Sequence, residues 1–162
     1  MTDFSATLAK AAALLAARAR IDAELRALGV LRSENALDDF TEFWVSGALR
    51  LDLAANSAKG FDAVDGKGVR YQIKGRRPTK GNPSRQLSAL RDLDAAPFDY
   101  LVGVLFNADC TVMRAALIPL AVVQRLATFI PRANNWRFRL EDAVWAIPGV
   151  IDLTGVLKGE VG

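Results

Sequence analysis

The chain contains no histidine, and Cys110 is its single cysteine. The missing histidines exclude Ser-His-Asp and Cys-His catalysis, His-ligated zinc, and the nucleases that use histidine as a general base. One cysteine excludes an intrachain disulfide and a cysteine-rich zinc site. A metal in this protein must therefore be a hard cation held by oxygen ligands, with magnesium or manganese as the natural choices.

Long hydrophobic runs are also missing. The apolar run near the start, 11–17, is too short to span a bilayer, and Lys10, Arg18 and Arg20 flank it. No small-residue cleavage site of a secretory signal follows it. We expect no membrane association and a cytoplasmic location.

Basic residues are concentrated in the middle of the chain. Between Asn56 and Arg91, nine Lys and Arg residues stand against two acids, a local charge of +7, so the rest of the chain sums to −4 within a net charge of +3. Such a block indicates a polyanionic partner, because clustered Lys and Arg neutralise phosphates and release counterions. The alternative is a solvated, lysine-rich surface loop.

Two helices are predicted at the start of a chain whose 162 residues and 51% hydrophobic content favour a single domain. The first is the alanine-rich segment from Phe4 to Leu28, with Gly29 as its stop. The second is expected to begin near Ser33 or Asn35 and to run to about Leu51. Its predicted core-facing residues are Leu37, Phe40, Trp44 and Ala48.

The second predicted helix also has a polar edge. Along it, every fourth residue is polar: Asp38, Glu42, Ser46 and Arg50. One interpretation is an ordinary solvent face. The other interpretation is a metal ligand. The bulky neighbours of Glu42 indicate a largely buried helix, and a carboxylate at the margin of such a helix needs a partner, which a metal could supply.

The segment 60–77 predicts a β-hairpin. In its second half apolar and polar residues alternate as in a strand with two different faces: Val69, Arg70, Tyr71, Gln72, Ile73 and Lys74. Phe61 to Asp65 is predicted as the shorter first strand, and 66–68 as a three-residue loop with Gly68 in the left-handed conformation.

The length of this loop sets the register of the hairpin. With three loop residues, Asp65 pairs with Val69 and Asp62 lies opposite Gln72. Cross-strand partners share a face, so Asp62, Gln72 and Lys74 are predicted to converge on one patch.

The rest of the chain alternates between predicted helices and strands. A helix is expected at Ser84–Asp92 with its leucines inward, and a second one at Ile118–Phe129. Strands are expected at Tyr100–Phe106, Cys110–Ala116 and Trp136–Leu140.

Taken in order, these features resemble the PD-(D/E)xK nuclease superfamily. The resemblance covers about Asn35 to Phe106: an acid on a helix, an aspartate entering a hairpin, and a short-spaced pair that ends in lysine on the next strand. It implies an α/β fold with a restriction endonuclease-like α-β-β-β-α-β core and a mixed sheet at 33–106. The N-terminal helix (1–29) and a C-terminal α+β extension (107–162) would be additions to this core.

The resemblance also implies a site. Its catalytic residues would be Glu42, Asp62, Gln72 and Lys74. Mg²⁺ or Mn²⁺ would be held by Glu42, Asp62, Gln72 and the backbone carbonyl of Ile73, because phosphodiester hydrolysis needs a hard cation to polarise the phosphate and lower the pKa of the attacking water. Lys74 would orient that water or stabilise charge on the phosphate. Gln72 departs from the family pattern, since its neutral amide replaces the usual acid and is a weaker ligand.

The expected partner is DNA, held by basic residues around this patch. The predicted phosphate contacts are Lys59, Arg76, Arg77, Lys80 and Arg85. Double-strand cutting would need two active sites, which makes a homodimer an expectation of the nuclease hypothesis. Two alternatives stay open: a nuclease-fold module that binds nucleic acid without cutting it, and a protein-interaction domain whose polar edge and basic block are ordinary surface.

Overall fold

A computed structural model of the chain describes residues 3–55 and 60–159. It contains helices and strands in the following order: α1 (Phe4–Ala27), α2 (Ala36–Leu49), β1 (Asp52–Leu53), β2 (Ala63–Val64), β3 (Arg70–Arg76), β4 (Tyr100–Phe106), β5 (Val112–Pro119), α3 (Leu120–Leu126), β6 (Thr128–Ile130), β7 (Asn135–Arg137), β8 (Ile151–Asp152) and α4 (Thr154–Leu157). Two compact units result, Met1–Phe40 and Thr41–Gly162, with the boundary inside α2.

The first unit is dominated by α1, a helix of 24 residues. Asp3 caps its start by accepting a hydrogen bond from the Ser5 amide at 3.0 Å, and Gly29 follows its end with a φ of +74°. After the turn, the Asp39 carboxylate accepts hydrogen bonds from the Arg32 and Ser33 amides. The predicted bounds of the first helix are confirmed, and so is a second helix beginning after Asn35.

The second unit is built on a mixed sheet of six strands in the order β1-β2-β3-β4-β5-β8. Its first three strands are antiparallel neighbours, β4 is parallel to β3, and β5 and β8 are again antiparallel. A separate two-stranded sheet pairs β6 with β7. The α/β class with a mixed sheet and helices is thereby confirmed.

The two faces of the sheet are covered by different segments. On one face α2 crosses β3 so closely that a side chain at Gly75 would collide with Thr41, and Trp44 packs on Phe106 with ring centroids 6.1 Å apart. On the other face the irregular segment 84–93 and residues 136–140 bury the main apolar cluster, in which Leu140 occupies the space over Gly103. The core position predicted at Ala48 is wrong: Ala48 is exposed, and Thr41 and Val45 are buried.

The helix predicted at Ser84–Asp92 does not form. The segment is extended, with bridges from Gln86 to Arg139 and from Leu90 to Trp136, and a short 3₁₀ helix follows at Leu93–Ala95. Its leucines are buried as predicted, because the segment is irregular: a bend at Ser88 separates Leu87 from Leu90, whereas in a regular strand residues three apart would point to opposite sides. The helix predicted at Ile118–Phe129 is shortened to α3, since Pro119 still belongs to β5 and β6 begins at Thr128.

Candidate active site

The β2–β3 hairpin forms with the predicted turn. Gly68 has a φ of +80°, and the Asp65 amide donates to the Val69 carbonyl at 3.1 Å. The Asp65 carboxylate accepts from the amides of Lys67 at 2.8 Å and Val69 at 3.0 Å, and from the Tyr71 hydroxyl at 3.2 Å. The hydrogen bond from the Lys67 amide is the main cause that lowers the pKa of Asp65.

This turn fixes the register on which the site depends. Ala63 pairs with Tyr71 and Val64 with Arg70, so Asp62 comes opposite Gln72 as predicted. The Asp62 Oδ2 atom accepts hydrogen bonds from Gln72 Nε2 at 2.7 Å and from the Ile73 amide at 2.7 Å. Three residues of the predicted metal site are therefore joined at one carboxylate oxygen.

Backbone hydrogen bonding explains the position of the Asp62 side chain. β2 is only two residues long, and the backbone of Asp62 extends the pairing by donating to the Tyr71 carbonyl and accepting from the Ala54 amide, both at 2.8 Å. Beyond that point the Ile73 amide needs an acceptor, because an unpaired amide in a half-buried strand is costly. The Asp62 side chain supplies this acceptor.

Lys74 lies on the same face of β3 as Gln72, two residues further along the strand. Its neighbour on β4 is Gly103, which has no side chain, and Leu140 packs over that glycine. Lys74 is half-buried, and the glycine and leucine beside it provide an apolar surface along which a lysine stem can pack.

Glu42 lies on a separate element, the helix α2. It is half-buried on α2, and the residue before it, Thr41, packs against Gly75 of β3. Because side chains alternate along a strand, Gly75 belongs to the face opposite Gln72 and Lys74. The hairpin contacts thus join Asp62, Gln72 and Ile73, and a metal-binding role for Glu42 stays a prediction from the family resemblance.

The predicted phosphate contacts fall into different environments. Lys59 lies outside the described residues. Arg76 is half-buried and donates from Nε to the Ser84 carbonyl at 2.9 Å, whereas Arg77 and Lys80 are exposed on the segment after β3. Arg77 contacts Cys110 Sγ at 3.3 Å through Nη1.

Arg85 is held in an ion-pair network on the face of the sheet away from α2. Its Nη1 atom lies 2.7 Å from Asp142 Oδ1, which also accepts from Arg114 at 2.9 Å. The guanidinium of Arg114 in turn stacks on Trp145, 3.9 Å from the ring centroid. This network ties the segment after β3 to the C-terminal part of the chain, so Arg85 has a structural function whether or not it contacts phosphate.

Two arginines that were not predicted as site residues line a groove of about 410 Å³. They are Arg137 and Arg139, which are exposed and share the groove with Gln86 and Glu141 above an apolar floor. The alternation of residues 136–140 could have indicated them, because Phe138 and Leu140 are buried and the residues between them must point outward.

The residues around Asp62 carry oxygens of the kind that hold a hard cation, but the groups that donate to its Oδ2 atom are the NH₂ of Gln72 and the backbone N–H of Ile73. Carboxylate, amide and backbone carbonyl oxygens are the ligand types that Mg²⁺ and Mn²⁺ prefer. Within 3–55 and 60–159, no group of three or more His, Cys, Asp or Glu side chains is arranged to hold a metal ion. The predicted site has two acids, so any cation there depends on the neutral oxygens of Gln72 and Ile73 as well.

Outside the site, none of the helices in the described ranges is long and apolar enough to cross a membrane. Comparison of the sequence with models of protein families and with curated proteins gives no match. The functional hypothesis therefore depends on the hairpin, its charges and the order of the strands.

Proposed function

We propose that the protein is a metal-dependent nuclease that hydrolyses phosphodiester bonds in DNA, with Mg²⁺ or Mn²⁺ as its cofactor. The observation that carries the proposal is a shared contact: Asp62 Oδ2 accepts hydrogen bonds from Gln72 Nε2 and from the Ile73 amide. Lys74 lies two residues after Gln72, on the same strand and the same face. Asp62, Gln72 and the Ile73 carbonyl would hold the cation; the family resemblance adds Glu42, whose helix packs against the opposite face of β3. The chemistry of the cation would be to polarise the phosphate and to lower the pKa of the attacking water.

The residues of the site would have different roles in hydrolysis. Asp62 is preorganised, because the Ile73 amide holds its carboxylate in place at 2.7 Å. Lys74 would donate a hydrogen bond to the phosphate or to the attacking water, and stabilise the charge that develops during hydrolysis. The exposed Arg77 and Lys80, on the segment after β3, would contact the DNA backbone.

The order of elements also supports a nuclease-like core. A helix, three antiparallel strands and a fourth strand parallel to the third follow one another, and neighbours in the chain are neighbours in the sheet. The difference from the expected core is the segment between β3 and β4, which is extended rather than helical. The restriction endonuclease-like assignment is therefore part of the proposal.

One observation favours a second candidate, a nucleic-acid-binding module that does not cut. The Gln72 side chain turns its NH₂ group, not its oxygen, toward Asp62. In this orientation the amide satisfies one acceptor site of the carboxylate without a cation. Cation binding would require the amide to rotate by half a turn, so that both side chains present oxygen.

Cleavage of supercoiled plasmid and end-labelled DNA separates the two candidates. We expect the wild type to cut with Mg²⁺ or Mn²⁺ and not with EDTA, and Asp62→Asn to lose about 100-fold or more in rate. Asp65→Asn is the matched control, because this aspartate lies on the same hairpin but serves the turn. Equal rates for the two variants would contradict the site.

Binding measured without cleavage completes this test. Fluorescence anisotropy with labelled duplex DNA in EDTA reports affinity for DNA in the absence of catalysis. A wild type that binds DNA and never cuts it, in either metal, would replace the nuclease by the binding module. A protein that neither binds nor cuts would leave the protein-interaction hypothesis.

A further inference from the structure

The helix α1 exposes an unusual amount of apolar surface. None of the residues Phe4–Ala27 is buried. Six large apolar side chains between residues 4 and 28 are more than half exposed: Phe4, Leu8, Leu14, Leu15, Ile21 and Leu28. Leu14, Ile21 and Leu28 share one side of the helix, and an exposed apolar stripe of this kind on a folded protein marks an interaction site.

The C-terminal half of this segment carries a narrow apolar stripe. At 100° per residue, its five members fall within about 80° of the helix surface. They are Leu14, Ala17, Ile21, Leu25 and Leu28. Leu14, Ile21 and Leu28 are exposed by 62%, 58% and 70%, and Ala17 and Leu25 are half-buried, so the two ends and the centre of the stripe are open to a partner.

This stripe matches itself in the reverse direction. If a second copy of the helix runs antiparallel with its Ile21 facing Ile21, Leu14 comes opposite Leu28 and Ala17 opposite Leu25. Every stripe position then meets another stripe position, and each small residue meets a large one. This is the self-complementarity that a two-fold interface requires.

The charges beside the stripe match in the same register. Arg18 and Asp22 lie on one flank, and Arg20 and Glu24 lie on the other. In the antiparallel pair each arginine comes within two residues, about 3 Å along the axis, of the acid of the second copy on the same flank. In the described part of the chain these four side chains form no ion pair, so they are open to pairing.

We infer that residues 14–28 form a self-association surface, whose partner is the same segment of a second copy in antiparallel orientation with Ile21 on the two-fold axis. The overlap of 15 residues is about 22 Å long. An interface of this size is smaller than a standard protein–protein interface, so we expect a weak dimer that forms at high protein concentration. The inference does not depend on the proposed nuclease activity.

Disulfide cross-linking tests the register. In a Cys110→Ser background, Ile21→Cys should form a covalent dimer on mild oxidation, because the two-fold axis brings the two cysteines together. Leu14→Cys and Leu28→Cys should stay monomeric separately and cross-link when the two variants are mixed. Cross-linking of all three variants alone would show a parallel pair and overturn the inference, as would cross-linking of none.

Sedimentation equilibrium tests the surface without cysteines. Ile21→Lys should raise the dimer dissociation constant at least tenfold, since it would bury two ammonium groups against each other at the two-fold axis. Leu8→Lys is the matched control, because Leu8 is equally exposed, at 57% against 58%, and lies outside the overlap. Circular dichroism checks that both variants keep their helix. A wild type that is monomeric at 100 µM, or equal effects of the two substitutions, would overturn the inference.

Discussion

The two ends of the β2–β3 hairpin carry the same pair of residue types in different surroundings. At the turn, the Asp65 carboxylate is saturated by two amides and a hydroxyl of the hairpin itself, and Lys67 is exposed. At the open end, Asp62 accepts from the Gln72 side chain and the Ile73 amide, and Lys74 is half-buried beside the sheet.

The difference shows what makes an acid and a lysine a candidate site. Asp65 stabilises a local turn that would form in many hairpins, and its donors lie within six residues of it. Asp62 collects its donors from the next strand, next to an amide whose oxygen could turn toward a cation. The proposed chemistry therefore belongs to the open end of the hairpin and not to its turn.

The lysines give the largest expected contrast. We predict that Lys74→Ala lowers the rate of metal-dependent DNA cleavage by about 100-fold or more, because it removes a donor that stabilises charge on the phosphate. Lys67→Ala should change the rate less than twofold, since Lys67 sits at the turn. Initial rates under single-turnover conditions measure both. Similar losses for the two variants would mean that the lysines act through the overall charge of the hairpin.

Gln72→Glu should strengthen metal binding, an effect that is smaller than the loss expected for Lys74→Ala and opposite in direction. A carboxylate at this position adds a charged ligand, so the affinity for Mn²⁺ should rise by about tenfold, as followed by the metal-induced increase in melting temperature. In EDTA the same variant should melt below the wild type, because two carboxylates then face each other.

Gln86→Glu is the matched control for this substitution. Gln86 is also half-buried, but it lies in the segment paired with Arg139, on the groove side. Its replacement should leave the response to Mn²⁺ unchanged. A Gln72→Glu variant with the manganese response of the wild type would remove Gln72 from the metal site.

The hairpin could be predicted because its determinants are local. Gly68 and Asp65 fix the turn within five residues, and a fixed turn determines which residues face each other. The joining of Asp62 to Gln72 follows from this register. The helix α1 was predicted for the same reason, since alanine-rich composition and Gly29 act within the segment itself.

The extended segment 84–93 could not be predicted in this way. Its partners are residues 136–140, about fifty positions away, and the pairing of Leu87 with Phe138 is invisible to local periodicity. Leucines spaced by three residues are typical of a helix, but here a bend at Ser88 between Leu87 and Leu90 is part of an irregular segment that buries them against the sheet. The ion pair between Arg85 and Asp142 depends on the same distant contact. The positive charge of Arg85 in the sequence does not reveal that its guanidinium is already paired with a carboxylate.

The smallest expected effect is the contribution of the Asp65 carboxylate to the pH dependence of the free energy of unfolding. Hydrogen bonds hold the pKa of Asp65 below its ordinary value of 3.8, so the stabilisation it contributes is complete above that value and is lost as the pH falls through the lower, folded-state pKa. The free energy of unfolding in urea should therefore fall more steeply below pH 4 in the wild type than in Asp65→Asn, and the two curves should converge in acid. Asp52→Asn, at an exposed position on β1, should follow the wild type. Parallel curves for the wild type and Asp65→Asn would mean that the turn carboxylate contributes nothing to stability, and the contrast between the two ends of the hairpin would then rest on Asp62 and Lys74 alone.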